Sequence, residues 1–93
     1  LNIASNIYKF NKFEFIDNFL KEYSSRLFEI HISSNNGFED QHKIPDEKDW
    51  QFKAIDKILT KTDKNNLIFC LESRSNNIFK LKECIKQINT IIS

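Results

Sequence analysis

Residues 66–73, NLIFCLES, form an almost unbroken apolar run of strand length. A run this short and this apolar predicts a strand covered on both faces, as in parallel sheets. Parallel strands need long crossover connections, and the segments on either side can supply them. RLFEIHIS (26–33) is a second strand-length stretch. Phe28, Ile30 and Ile32 point one way from it, and Leu27, Glu29, His31 and Ser33 the other. In 66–73 the same alternation puts Ile68, Cys70 and Glu72 on one side and Leu67, Phe69 and Leu71 on the other.

Three segments have helical spacing instead. NKFEFIDNFLKEY (11–23) gathers Phe15, Ile16, Phe19, Leu20 and Tyr23 on one face, and Asn11 and Glu14 stand at capping-box positions. DWQFKAIDKILTK (49–61) has Asp49 as cap and turns Trp50, Ala54, Ile55, Ile58 and Leu59 inward. NNIFKLKECIKQINTIIS (76–93) repeats Ile78, Leu81, Ile85, Ile88 and Ile92 at three- and four-residue spacings. LNIAS, at the start, reads as the end of a strand. Glycine and proline occur once each, too few for an all-β chain of tight turns. The order (β)αβαβα predicts the α/β class, with parallel strands and right-handed crossovers.

Composition narrows the function classes. A chain of 93 residues allows one small domain, and nine Phe can fill its core. The net charge of +1 gives no basic field, so neither nucleic acid nor a membrane surface is expected as a partner. No apolar run approaches the ~20 residues of a membrane span, and no signal-peptide pattern opens the chain. The sequence starts mid-pattern without an initiator Met, which predicts a piece of a longer protein. Cys70 and Cys84 both lie in apolar patterns and are expected as buried, reduced thiols, which fits a cytoplasmic setting.

Chemistry concentrates in one place. The only two histidines, His31 and His42, lie within twelve positions and enclose Asp40. With the two strands as parallel neighbours, His31 and Glu72 fall at the carboxyl end of the sheet, where α/β folds build sites. The polar stretch from Ser34 to about Lys48 leaves from the same end. His31, Asp40, His42 and Glu72 are therefore expected to converge. Imidazole and carboxylate together suit Zn, Mn, Co or Fe better than Mg or Ca. Plainer roles compete: His31 bonded to Glu29, Asp40 and His42 in solvent, and Glu72 paired with Arg74 or a helix cap. Lys43, Lys48 and Lys53 read as a solvated face more than a phosphate site. Trp50 reads as packing or as a platform for a sugar.

Order and spacing carry a resemblance. IHISSNNGFEDQHKIPDEKDW followed by LIFCLES resembles the carboxyl-terminal third of the sugar-phosphate isomerase/epimerase family, the xylose-isomerase-like superfamily that also contains endonuclease IV. His31, Asp40, His42, the Asp49–Trp50 pair and Glu72 match its motifs. Asn2 and Ser5 stand where the family has Asp and His, and Ser34 where it has Asp. Pro45 to Lys48 lacks the family's glycines.

The resemblance implies that residues 1–93 are a single partial domain, the last two to three βα units of a TIM (β/α)8 barrel. Such a barrel takes eight strands and about 250 residues, so the rest of a chain or another copy would have to close it. It implies a divalent metal, Mn, Zn or Co, held by His31 and Glu72, with Asp40 and His42 at the metal or substrate. The activity implied is isomerisation or epimerisation of a sugar or sugar phosphate through an enediolate, with Glu72 as catalytic proton carrier and Trp50 against the sugar. Two alternatives accompany it. One is a degenerate, non-catalytic barrel fragment or binding module. The other, ranked last, is a zinc nuclease like endonuclease IV, whose cluster needs the Asp and His replaced by Asn2 and Ser5.

Overall fold

The computed structural model, which describes residues 1–93, begins with a helix, α1 (Asn2–Tyr8), that stops where Lys9 turns left-handed at φ 57°. LNIAS, expected as a strand end, is therefore helical. Ile3 and Ile7 are one helical turn apart, and the Ser5 hydroxyl donates to the Asn2 carbonyl at 2.7 Å. No third strand lies beside the sheet to capture the segment.

Helix α2 (Lys12–Tyr23) starts at Asn11, whose side chain accepts from the N–H groups of Phe13 and Glu14 at 2.9 and 3.1 Å. This N-cap satisfies donors that the helix itself leaves unpaired. A 3-10 turn (Ser24–Arg26) leads into β1 (Glu29–Ile32). A long loop then reaches α3 (Trp50–Leu59), a second 3-10 turn (Lys64–Asn66) leads into β2 (Ile68–Leu71), and α4 (Ile78–Ile92) ends the chain.

β1 and β2 pair in parallel, with His31 opposite Cys70 and Ile32 opposite Leu71. Ile32 packs with Phe52 and Ile55 of α3 and Cys84 and Ile88 of α4; Ile30, Phe69 and Leu71 surround them. A second cluster joins Ile16 and Leu20 of α2 to Ala54 of α3. The helices thus cover one face of the sheet. Glu29, His31, Ile68 and Cys70 alternate onto the other face, and Ile68 is 64% exposed there.

Four helices around a two-stranded sheet make a mixed α/β fold, not a set of TIM-barrel βα units. The barrel expectation fails at two elements. The first segment is a helix, and β2 is covered on one face rather than two. The apolar faces of the helices are also narrower than their spacing predicts. On α2 only Ile16 and Leu20 are buried, while Phe15, Phe19 and Tyr23 stay exposed as a file of neighbouring rings. On α4 the core positions are Cys84 and Ile88, with Ile78 and Ile85 outside. Both cysteines are free thiols; Cys84 is buried and Cys70 half-buried.

Candidate functional site

The ladder between the strands extends one residue past β2, because the Glu72 N–H donates to the Ile32 carbonyl at 2.9 Å. That bond fixes Glu72 at the carboxyl end of the sheet, beside His31. The loop is brought back to the same end by backbone pairing. Ser34 and Lys43 exchange two hydrogen bonds of 2.8 Å, and the Arg74 N–H donates to the His42 carbonyl at 2.9 Å. Between these anchors the loop is held by its own side chains. Asn35 accepts from the Gly37 N–H, Asn36 accepts from Phe38 and Glu39, and Gln41 accepts from Asn36. His42 itself has φ 49°, a left-handed conformation that few non-glycine residues adopt. Its ring stands at the strand ends, with Nδ1 3.9 Å from Glu72, and backbone strain of this kind gathers at functional positions.

The result is an alternating line of carboxylates and imidazoles. His31 Nε2 is 2.8 Å from Glu29 Oε1, and His31 Nδ1 is 3.3 Å from Glu72 Oε2. His42 Nδ1 lies 3.9 Å from the other oxygen of Glu72, and His42 Nε2 is 2.9 Å from Asp40 Oδ1. Glu72 is thus the centre, a histidine flanks each of its oxygens, and an outer carboxylate holds the far nitrogen of each ring. All four residues expected to converge do so. Glu29 is a fifth member. It belongs to the site because residues two apart on a strand share a face.

Electrostatics follow from the geometry. When each Nε2–H donates to its outer carboxylate, a neutral ring turns the Nδ1 lone pair toward the Glu72 anion. Two lone pairs and a carboxylate facing one another repel unless a cation stands among them. At His31 a proton serves, because hydrogen bonds to Glu29 and then to Glu72 raise its pKa above the ordinary 6.5. A divalent cation among neutral rings and three carboxylates would leave one negative charge.

The donor set suits a borderline transition metal. Two ligands of one tetrahedral zinc, each about 2.0–2.2 Å from it, stand roughly 3.3–3.6 Å apart. The 3.3 Å between His31 Nδ1 and Glu72 Oε2 falls at the edge of that range, and the 3.9 Å between His42 Nδ1 and Glu72 Oε1 exceeds it. No group of three donors is already arranged to hold an ion, so binding would require the side chains to draw together. Outer carboxylates on the far ring nitrogens are the usual way a metal-binding imidazole is oriented.

The other candidates sit apart. Trp50 stands edge-on to Phe13 with centroids 6.2 Å apart, and the Lys12 ammonium lies 4.8 Å over its ring. These contacts are with α2 rather than with the histidines. Asp49 occupies the N-cap position of α3 but makes no cap bond. Its carboxylate accepts from the Ser34 hydroxyl at 3.2 Å and the Asp46 N–H at 2.9 Å, tying the two ends of the loop together. Asn2 and Ser5 lie on α1. Asn2 bonds Asn35 and Lys12 there, so neither stands at a strand end as their matched positions would require.

No family model, curated protein or solved structure matches the chain. No helix is long and apolar enough to cross a membrane.

Proposed function

We propose that the Glu72 cluster binds a divalent transition metal, Zn, Mn or Co, and serves metal-assisted proton transfer on a sugar or sugar phosphate. One observation carries the metal site: both histidines turn Nδ1 to the same carboxylate while outer carboxylates hold their Nε2 atoms. The substrate class has a separate support. It rests on the order and spacing of His31, Asp40, His42 and Glu72, which resemble the sugar-phosphate isomerase/epimerase family; no barrel is part of the proposal.

His31, His42 and Glu72 would be the ligands. Glu29 and Asp40 fix the ring orientations and, by accepting from Nε2–H, keep each Nδ1 basic. A metal held by these residues would supply Lewis-acid stabilisation of charge developing on a carbonyl oxygen. Glu72 carries the proton, since its carboxylate faces two imidazoles and is half open to solvent.

A second reading, a binding module without turnover, is favoured by exposure. The side chains of His31 and Glu72 are 53% and 50% exposed on a sheet face that no helix covers. The exclusion of water that strengthens active-site electrostatics is missing there.

Titration of tag-free protein with Zn and Co, followed by elemental analysis, tests the site. One metal per chain is expected, lost in His31→Ala and Glu72→Ala and kept in Lys43→Ala. Equal stoichiometry in all three variants would refute it. With metal bound, incorporation of solvent deuterium into a panel of sugars distinguishes the two readings. Exchange supports proton transfer, and its absence supports the binding module.

A further inference from the structure

β2 carries a thiol on the same face of the sheet as the histidine cluster. Phe69 and Leu71 pack into the core with Ile30 and Ile32, so the alternation of a strand sends Cys70 to the opposite, open face. His31 and Glu72 leave from that face too. In the parallel register His31 and Cys70 are direct Cα partners, and Glu72 lies one residue beyond the last pair, Ile32 with Leu71. Adjacent strands stand about 4.7–4.9 Å apart. On the open face, Cys70 is therefore rooted closer to His31 than Glu72 is, and Glu72 already reaches His31 Nδ1 at 3.3 Å. Cys70 is half-buried and free of any disulfide.

We infer that the Cys70 thiolate is a further ligand of the metal proposed for this cluster, an inference that rests on that reading of the site. Glu72 has two tasks there, holding the metal and carrying a proton. Two histidines alone hold a metal weakly whenever Glu72 turns to the substrate. With Cys70 added, His31, His42 and Cys70 keep the metal in place and Glu72 is free to exchange. Three protein ligands with one exchangeable position is the usual arrangement of a catalytic zinc.

The charge and the softness of sulfur fit. On binding, the S–H bond breaks, its electron pair forms the metal–sulfur bond and the proton leaves to solvent. With Glu72 attached as well, the inner ligands carry two negative charges, equal and opposite to those of a divalent ion. Thiolate is a soft donor and favours Zn and Co over Mn, which narrows the metals open to the site. Cys84 cannot serve in its place, because it is 3% exposed on α4 inside the core.

Cobalt absorption tests the inference on reduced, tag-free protein. A thiolate bound to Co gives an intense charge-transfer band in the near ultraviolet, which imidazole and carboxylate ligands do not. The band is expected to saturate with bound Co and to be absent in Cys70→Ser. Cys84 is unchanged in that variant, so the loss assigns the sulfur. Cys70→Ser should also weaken Zn binding by about tenfold and leave Mn binding close to that of the wild type. The wild-type spectrum does not depend on the variant folding. Bound Co without the band would overturn the thiolate ligand and leave the site of His31, His42 and Glu72 standing. No bound Co at all would overturn that site and this inference with it. A band that persists in Cys70→Ser would overturn the assignment to Cys70.

Discussion

Replacing Glu72 by Gln should remove metal binding more completely than any other single change in the cluster. The substitution keeps the volume and deletes one negative charge from between the two Nδ1 atoms, 3.3 and 3.9 Å away. Glu29 and Asp40 act through the rings, and loss of such an outer partner lowers metal affinity by about 10–100-fold. Asp40, 72% exposed, belongs at the lower end of that range, and Glu29, 53% exposed and 2.8 Å from its ring, at the upper end. In the proposed site Glu72→Gln removes a direct ligand and should exceed about 100-fold, beyond either outer partner. Competition of Co against a chromophoric chelator measures all three affinities in one buffer. The expected order of loss is Glu72→Gln, then Glu29→Gln, then Asp40→Asn. A loss in Asp40→Asn equal to that in Glu72→Gln would refute a Glu72-centred site, and so would unchanged affinity in all three.

Three further outcomes test the rest of the structure. In the metal-free protein, NMR titration should place the His31 pKa above 6.5, and Glu29→Gln should lower it more than Glu72→Gln. A raised folded-state pKa stabilises fully below the unfolded value of 6.5 and loses its effect as pH rises through the folded value. Urea midpoints of wild type and His31→Ala should therefore differ most in acid and converge toward alkaline pH. Ile55, 2% exposed between β1, α3 and α4, should cost about 2–5 kcal/mol when cut to Ala, read from the urea midpoint at constant slope. Gly37→Ala should destabilise by more than about 1 kcal/mol. Gly37 has φ 88°, and an added Cβ would meet the Asn6 side-chain amide, so thermal unfolding should start lower.

The convergence of His31, Asp40, His42 and Glu72 was legible from topology. Parallel strands put His31 and Glu72 at one end, and the loop between strand and helix leaves from that end. The signal for Glu29 was equally local, two residues from His31 on the same strand. That Trp50 Nε1 and Gln51 Oε1 are buried without a hydrogen-bond partner was not legible, because helical spacing marks which residues turn inward but not which polar atoms find partners there.

By itself, the sequence determined the elements whose cause is local. The Asn11 cap and helical spacing define α2, and two short apolar runs define β1 and β2. The chain between those runs is long enough for the crossover that a parallel pairing needs. Tertiary structure decided what each element buries. LNIAS became helix because no further strand offered its N–H and C=O groups partners. NLIFCLES lost a covered face because α3 and α4 pack on one side of a two-stranded sheet, leaving Ile68 and Cys70 to the other. The rings of Phe15, Phe19 and Tyr23 remained outside because the side of α2 that meets α3 carries Phe13, Ile16 and Leu20. Periodicity gives a helix an apolar side, and only the elements placed against it settle how much of that side leaves water.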